Sequence, residues 1–128
     1  MKRVFSLYLQ DILEAIERVG QYTQGMNLEE FSKSKITMDA VLRNLEIIGE
    51  AATQLPKDKK EKYNKVPWED IQNFRIVAAH HYWKIDKVTI WDIIENQLNI
   101  LSQQIQEILE KEDLEKQEKE HKSEKNQK

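Results

Sequence analysis

The stretch Lys87-Val88-Thr89-Ile90-Trp91-Asp92-Ile93-Ile94-Glu95-Asn96-Gln97-Leu98-Asn99-Ile100-Leu101-Ser102-Gln103-Gln104-Ile105-Gln106-Glu107-Ile108-Leu109 decides the fold class. Val88, Trp91, Ile94, Leu98, Leu101, Ile105 and Ile108 recur in steps of three and four, the period of an α-helix burying one face. No glycine or proline interrupts the run, and Asp86 stands where an N-cap belongs. The spacing predicts one long helix from about Lys87 to Leu109.

The same period extends outward. Phe5, Leu9, Ile12, Ile16 and Val19 predict a first helix from about Lys2 to Val19, its end bracketed by Gly20 and Gly25. Asn27 with Glu30 has the form of a capping box for a short helix through Phe31. Val41, Leu45, Ile48, Ala52 and Leu55 predict a helix over Thr37–Leu55, stopped by Pro56. Pro67 suits the first position of a further helix whose buried stripe is Trp68, Ile71, Phe74 and Ala78. The charged segment Lys57–Lys65 between them reads as a loop or a weak helical turn. With no strand pattern, the expectation is an all-α, antiparallel bundle of four to five helices. Residues 1–109 form its domain, and 110–128 a charged helical extension or a disordered tail. The long apolar face of the last helix suits a subunit interface, so the bundle is expected to dimerise.

At 128 residues the chain is a single domain by size. It has no cysteine, which excludes disulfides, thiolate metal sites and cysteine nucleophiles. Met1-Lys2-Arg3-Val4-Phe5-Ser6 passes directly into helical spacing with Asp11 and Glu14, so no signal peptide is expected; no apolar run approaches the roughly 20 residues needed to cross a bilayer. The expected location is cytoplasmic, with no membrane contact. The net charge of −3 argues against a broadly basic nucleic-acid binder. Any RNA contact must come from a few well-placed cations.

Arg75-Ile76-Val77-Ala78-Ala79-His80-His81-Tyr82 holds a guanidinium, imidazoles and a phenol within eight residues. Arginine grips phosphate oxygens in a bidentate fork, and histidine moves protons near neutrality. These groups suffice for metal-free phosphodiester cleavage, in which a ribose 2′-hydroxyl attacks its own phosphate, His80 is the general base and Arg75 steadies the developing charge. On a regular helix Arg75 and Tyr82 nearly share a face, whereas Arg75 and His80 are offset by about 140°. Bringing that pair together needs a bend or helix end near His80, or two copies meeting across a dimer axis. Taken singly, an arginine such as Arg75 is more often solvent-facing or salt-bridged, a histidine such as His80 more often structural, and a tyrosine such as Tyr82 most often a half-buried aromatic. His81 is read as lining the cleft. Adjacent histidines diverge on a helix and no third ligand has suitable spacing, so no metal site is expected. Of the tryptophans, Trp68 and Trp91 are expected in the core and Trp83 at the surface.

Arg-four-His-any-Tyr resembles the signature of the HEPN superfamily and, within it, the HepT-like toxins of two-gene toxin–antitoxin modules. Tyr8-Leu9-Gln10-Asp11-Ile12-Leu13-Glu14-Ala15-Ile16, Asn44-Leu45-Glu46-Ile47-Ile48-Gly49-Glu50-Ala51-Ala52, Val66-Pro67-Trp68 and Ile85-Asp86 are similar to other parts of that family. The likeness covers roughly residues 3–109. It implies a helical homodimer with both motifs in one cleft and ribonuclease activity acting as a toxin. It also implies a minimal nucleotidyltransferase antitoxin that transfers AMP from ATP to the motif tyrosine, here Tyr82; ATP and magnesium belong to that partner, and this chain needs no cofactor. Ile76 stands where the superfamily often has a polar residue, and His81 where a small one is usual. Glu50 is read either as a supporting or antitoxin-contacting residue at the cleft or as an exposed helix glutamate. The competing expectation is a catalytically inactive HEPN-like module that binds a nucleotidyltransferase partner or a nucleotide, favoured by the acidic balance, Ile76 and the lack of an evident basic groove.

Overall fold

A computed structural model describes residues 4–80 and 86–126. All regular structure among them is helical: α1 Phe5–Tyr22, α2 Leu28–Lys33, α3 Lys35–Thr53, α4 Lys57–Lys62, α5 Trp68–Gln72, α6 Phe74–His80, α7 Lys87–Asp92, a π-helical stretch Ile93–Gln97, and α8 Leu98–Asn126. No helix among the described residues is long and apolar enough to cross a membrane.

The apolar stripes fall where their spacing puts them. Leu9, Ile12, Ala15 and Val19 of α1 meet Val41, Leu45, Ile48 and Ala52 of α3 in a continuous core, closed by Ile90, Leu98, Leu101 and Ile105. α3 is the central rod, packed on α1 along one side and on α5 and α6 along the other, while α8 covers α1 and α7 packs on α2. α1 and α3 run antiparallel: the Arg18 Nε donates to Asn44 Oδ1 at 2.8 Å near one end, and Tyr8 lies beside Ala51 near the other. α1 and α8 are also antiparallel, since Phe5 shares a surface with Leu109 and Leu13 with Ser102.

Chain punctuation follows the local chemistry. Asn27 accepts from the Glu30 N–H while Glu30 accepts from the Asn27 N–H, a complete capping box at α2. Gly25 takes a φ of 75° in the α1–α2 turn, where a side chain would be strained. Asp86 caps α7 through the Thr89 N–H at 3.1 Å.

Three expectations change. The helix starting at Pro67 is two helices, broken at Asn73, whose carbonyl accepts from both Ile76 and Val77 N–H groups. The helix from Lys87 is not uniformly α: Asp92 accepts from the side-chain amides of both Asn96 and Gln97, four and five residues on, within the π-helical stretch. Val88, expected in the buried stripe, is 65% exposed, and Ile90 and Ile93 occupy the core instead. Trp68 is buried, Trp91 is half-buried against Phe31 with ring centroids 5.2 Å apart, and Trp83 lies outside the described residues.

The charged segment expected to be a loop or a weak helical turn takes the second form, as α4, and ties down α8. Glu112 receives Lys59 at 2.5 Å, Lys62 at 3.4 Å and the Tyr63 hydroxyl at 2.8 Å, and Lys62 also reaches Glu115 at 2.6 Å. Tyr63 stacks on Phe5 of α1, so three parts of the chain meet there. Burial alone would raise the Glu112 carboxyl, but the hydrogen bonds from Lys59 and Tyr63 outweigh it and hold the group down at about 2. Burial and the bond to Glu112 push the Tyr63 phenol up to about 12.

Because the folded Glu112 lies below its unfolded value of 4.5, the stabilisation is present above about pH 4.5 and disappears as the pH falls towards 2. Glu112→Gln should lower stability at pH 7 by about 1–3 kcal/mol and by much less at pH 2.5, measured by urea unfolding at both pH values. An equal loss at the two would mean that the carboxylate charge contributes nothing.

Candidate active site on α6

Arg75 is the second residue of α6 and its position is set by backbone packing against α3. A Cβ built on Gly49 would lie 2.7 Å from the Arg75 N, 2.9 Å from the Gln72 O and 3.0 Å from the Arg75 Cβ. Real Cβ atoms do not approach so closely, so the α5–α6 junction sits against α3 only because position 49 has no side chain. The break at Asn73 falls at the same contact. Phe74, beside Arg75, is buried and anchors the start of α6 in the core.

The next residue of α3, Glu50, meets the arginine side chain, with Arg75 Nη1 3.5 Å from Glu50 Oε1. Both side chains are about half exposed, and such a pair is worth well under about 1 kcal/mol. The guanidinium is therefore held loosely enough for a phosphate, which it grips in bidentate fashion, to displace the carboxylate. Glu50 also lines an open groove of about 290 Å³ between α1 and α3, shared with Tyr8, Asp11, Arg43, Glu46 and Gln54. Three carboxylates against one guanidinium make this groove acidic, though Arg43 is itself 3.2 Å from Glu46.

Of the residues singled out in the sequence, Arg75 and Glu50 are therefore brought together. His80 lies in α6 with Arg75, five positions on. His81 and Tyr82 fall outside the described residues. Ile76, beside Arg75, is 47% exposed, so an apolar side chain borders the guanidinium on the surface. Among the described residues no group of three or more His, Asp or Glu side chains is arranged to hold a metal ion. The steric demand at Gly49 was not readable in advance. Its flanking helix pattern was visible, but its contact lies more than twenty positions away along the chain.

Comparison with known proteins agrees with this architecture. The family model described as Ribonuclease HepT-like matches residues 12–108. A Methanocaldococcus jannaschii protein provisionally named an RNase is 40% identical over 108 residues, covering 84% of this chain and 89% of its own length. A Caldanaerobacter subterraneus subsp. tengcongensis protein with a provisional RNase name is 39% identical over 105 residues, covering 82% and 94%. Another M. jannaschii protein, whose name joins a gamma-glutamylcyclotransferase to a provisional RNase, is 35% identical over 88% of this chain, which spans about half (51%) of that relative. No solved structure matches.

Glycine substitutions test the α3–α6 contact by sign. Gly20→Ala in α1, where a Cβ would meet nothing within 4 Å, should stabilise the fold by up to about 1 kcal/mol. Gly49→Ala should instead cost about 1–3 kcal/mol because α6 must shift. Thermal unfolding of the two variants checks the pair, and a stabilised Gly49→Ala would refute the close approach. With its helical bundle, its glycine-docked arginine helix and a family model covering residues 12–108, the chain belongs to the HepT-like family.

Proposed function

We propose that this chain is a metal-independent RNA endonuclease, the toxin of a two-gene toxin–antitoxin module acting in the cytoplasm. The observation that carries the reading is Arg75, surface-exposed on α6 with only a weak carboxylate partner, in a HepT-like chain whose same helix bears His80. The named relatives support RNA as the substrate.

In this reading Arg75 binds a bridging phosphate and displaces Glu50. His80 takes the proton from the 2′-hydroxyl, whose oxygen attacks the adjacent phosphorus. The P–O5′ bond breaks, and the leaving oxygen takes a proton from solvent or from the His80 of a second copy. The products are a 2′,3′-cyclic phosphate and a 5′-hydroxyl, and DNA is inert because it lacks the nucleophile. A symmetric homodimer would bring two Arg75–His80 pairs to one cleft and so overcome their angular offset along a single helix. Control falls to Tyr82: a nucleotidyltransferase antitoxin, using its own magnesium and ATP, would transfer AMP to the phenol. The charge and bulk added there would exclude the substrate phosphate.

A second reading has its own observation. The groove beside Arg75 carries Asp11, Glu46 and Glu50 against Arg43, a balance that suits a basic protein partner better than RNA. On that reading the chain is a catalytically inactive module that binds the nucleotidyltransferase or a nucleotide.

Incubation of total RNA and purified tRNA with the unmodified protein in EDTA decides between them, with Arg75→Ala and His80→Ala prepared alongside. The ribonuclease reading expects cutting that falls at least 100-fold in either variant, with 5′-hydroxyl ends. No cutting by protein whose Tyr82 is shown by mass spectrometry to be free of AMP would leave the binding module.

A further inference from the structure

We infer that a lysine-lined cleft between the α4–α5 connection and α8 is a second RNA-binding site, which takes a backbone phosphate of the strand cut at Arg75. The inference rests on the ribonuclease reading for its substrate and on a different part of the molecule for its geometry.

The cleft encloses about 220 Å³ and is lined by Lys62, Asn64, Lys65 and Lys111, with Glu107 as its acidic residue. The cleft between Phe5 and Leu109 has Lys59 and Lys116 against Glu112 and Asp113, and the groove at Glu50 is acidic. In a chain of net charge −3, three ammonium groups around one small cleft are a local reversal of sign.

The three lysines are not equivalent. Lys62 is committed, since it binds Glu112 and Glu115 and so serves the attachment of α8. Lys65 and Lys111 have no side-chain hydrogen bond or ion pair to any described residue. The backbone beneath them is fixed. The Trp68 indole N–H donates to the Tyr63 carbonyl at 3.1 Å, and Gln104 Nε2 approaches the Lys65 carbonyl at 3.5 Å. Tyr63 is further held by its stack on Phe5 and its bond to Glu112. Cations on an immobilised loop and on a helix lose little backbone freedom on binding an anion, and ammonium groups without carboxylates need no ion pair broken. The Asn64 side chain adds an amide donor for a phosphate or ribose oxygen.

A nucleic-acid strand is the ligand that fits two free ammonium groups at a distance from a catalytic arginine. Lys65 precedes α5 and Arg75 is the second residue of α6, ten positions further along the chain and past the break at Asn73. The cleft and the guanidinium lie on different elements, so each would take its own phosphate along one strand. The cleft thus supplies the few well-placed cations that an acidic ribonuclease requires, and it would set affinity for long RNA without touching the scissile bond.

Lys65→Gln/Lys111→Gln in the full chain tests this, with binding of a fluorescein-labelled, 2′-deoxy-substituted and hence uncleavable 20-mer followed by anisotropy between 50 and 300 mM NaCl. The double variant should melt at the wild-type temperature. Its affinity should drop about tenfold at low salt, and the slope of log K against log salt should shrink by about 1.4, two contacts' worth. In cleavage assays KM for long RNA should rise while kcat, and the cleavage of a dinucleotide with a single phosphate, stay unchanged. Unchanged affinity and slope would overturn the cleft even if the wild type cuts RNA. Reduced affinity and slope would uphold it even if cutting is absent, so the binding site and the ribonuclease reading fail separately.

Discussion

The contact of α3 with the α5–α6 junction at Gly49 is the constraint on which the candidate site depends. Two backbones meet there at a separation that no side chain at position 49 would allow. Helices usually pack through interdigitating side chains at about 8–10 Å, and a glycine lets one segment move closer. The break at Asn73 falls at this close approach, where Arg75 N and Gln72 O lie on the α3 surface. The contact also sets Arg75 beside Glu50, the neighbour of that glycine. Moving the junction outward would detach the guanidinium from its carboxylate and shift the whole of α6, His80 included.

A second cluster acts at a distance from this one and anchors the C-terminal helix. Glu112 gathers Lys59, Lys62 and Tyr63, and Tyr63 stacks on Phe5, so the start of α1, the end of α4 and the middle of α8 are joined at a single carboxylate. Exposed ion pairs contribute little, but this carboxylate is only 15% exposed and accepts three donors, which is why its charge is retained. Beyond it α8 runs on to Asn126 with charged residues on every side, past the span matched by the family model. Two of the lysines near this joint carry its ion pairs, while Lys65 and Lys111, close by, carry none. Lys59 and Lys62 of α4 thus serve attachment, while Lys65 after it and Lys111 on α8 stay out of those ion pairs.

Most of the fold was legible in residue spacing, because each stripe of α1, α3 and α8 is a local, repeating signal summed over many turns. The expected core positions Val41, Leu45, Ile48 and Ala52 of α3, and Leu55 just past its end, are all buried. Less legible were the places where an element answers to something distant. Lys57–Lys62 carries no apolar stripe to fix it, and only the fold shows that the lysines of α4 and the adjoining Tyr63 meet carboxylates of α8. Val88 continues the three-residue step on paper but faces outward, and the helix then widens into a π-helical stretch in which Asp92 accepts from two amides. The candidate site divides in the same way. That Arg75 and His80 share a helix was readable, whereas the pairing of Arg75 with Glu50 and the joint lining of one cleft by Lys65 and Lys111 were not.

The sequence by itself determined an all-helical bundle, its core stripes, the capping box at Asn27 and the helix that bears Arg75 and His80, since each follows from neighbours within about two turns of chain. Only the tertiary structure decided where that helix breaks, which carboxylate faces the arginine, and which lysines remain free. Those outcomes depend on the distance between segments far apart in sequence, here set by a missing side chain at Gly49 and a buried carboxylate at Glu112.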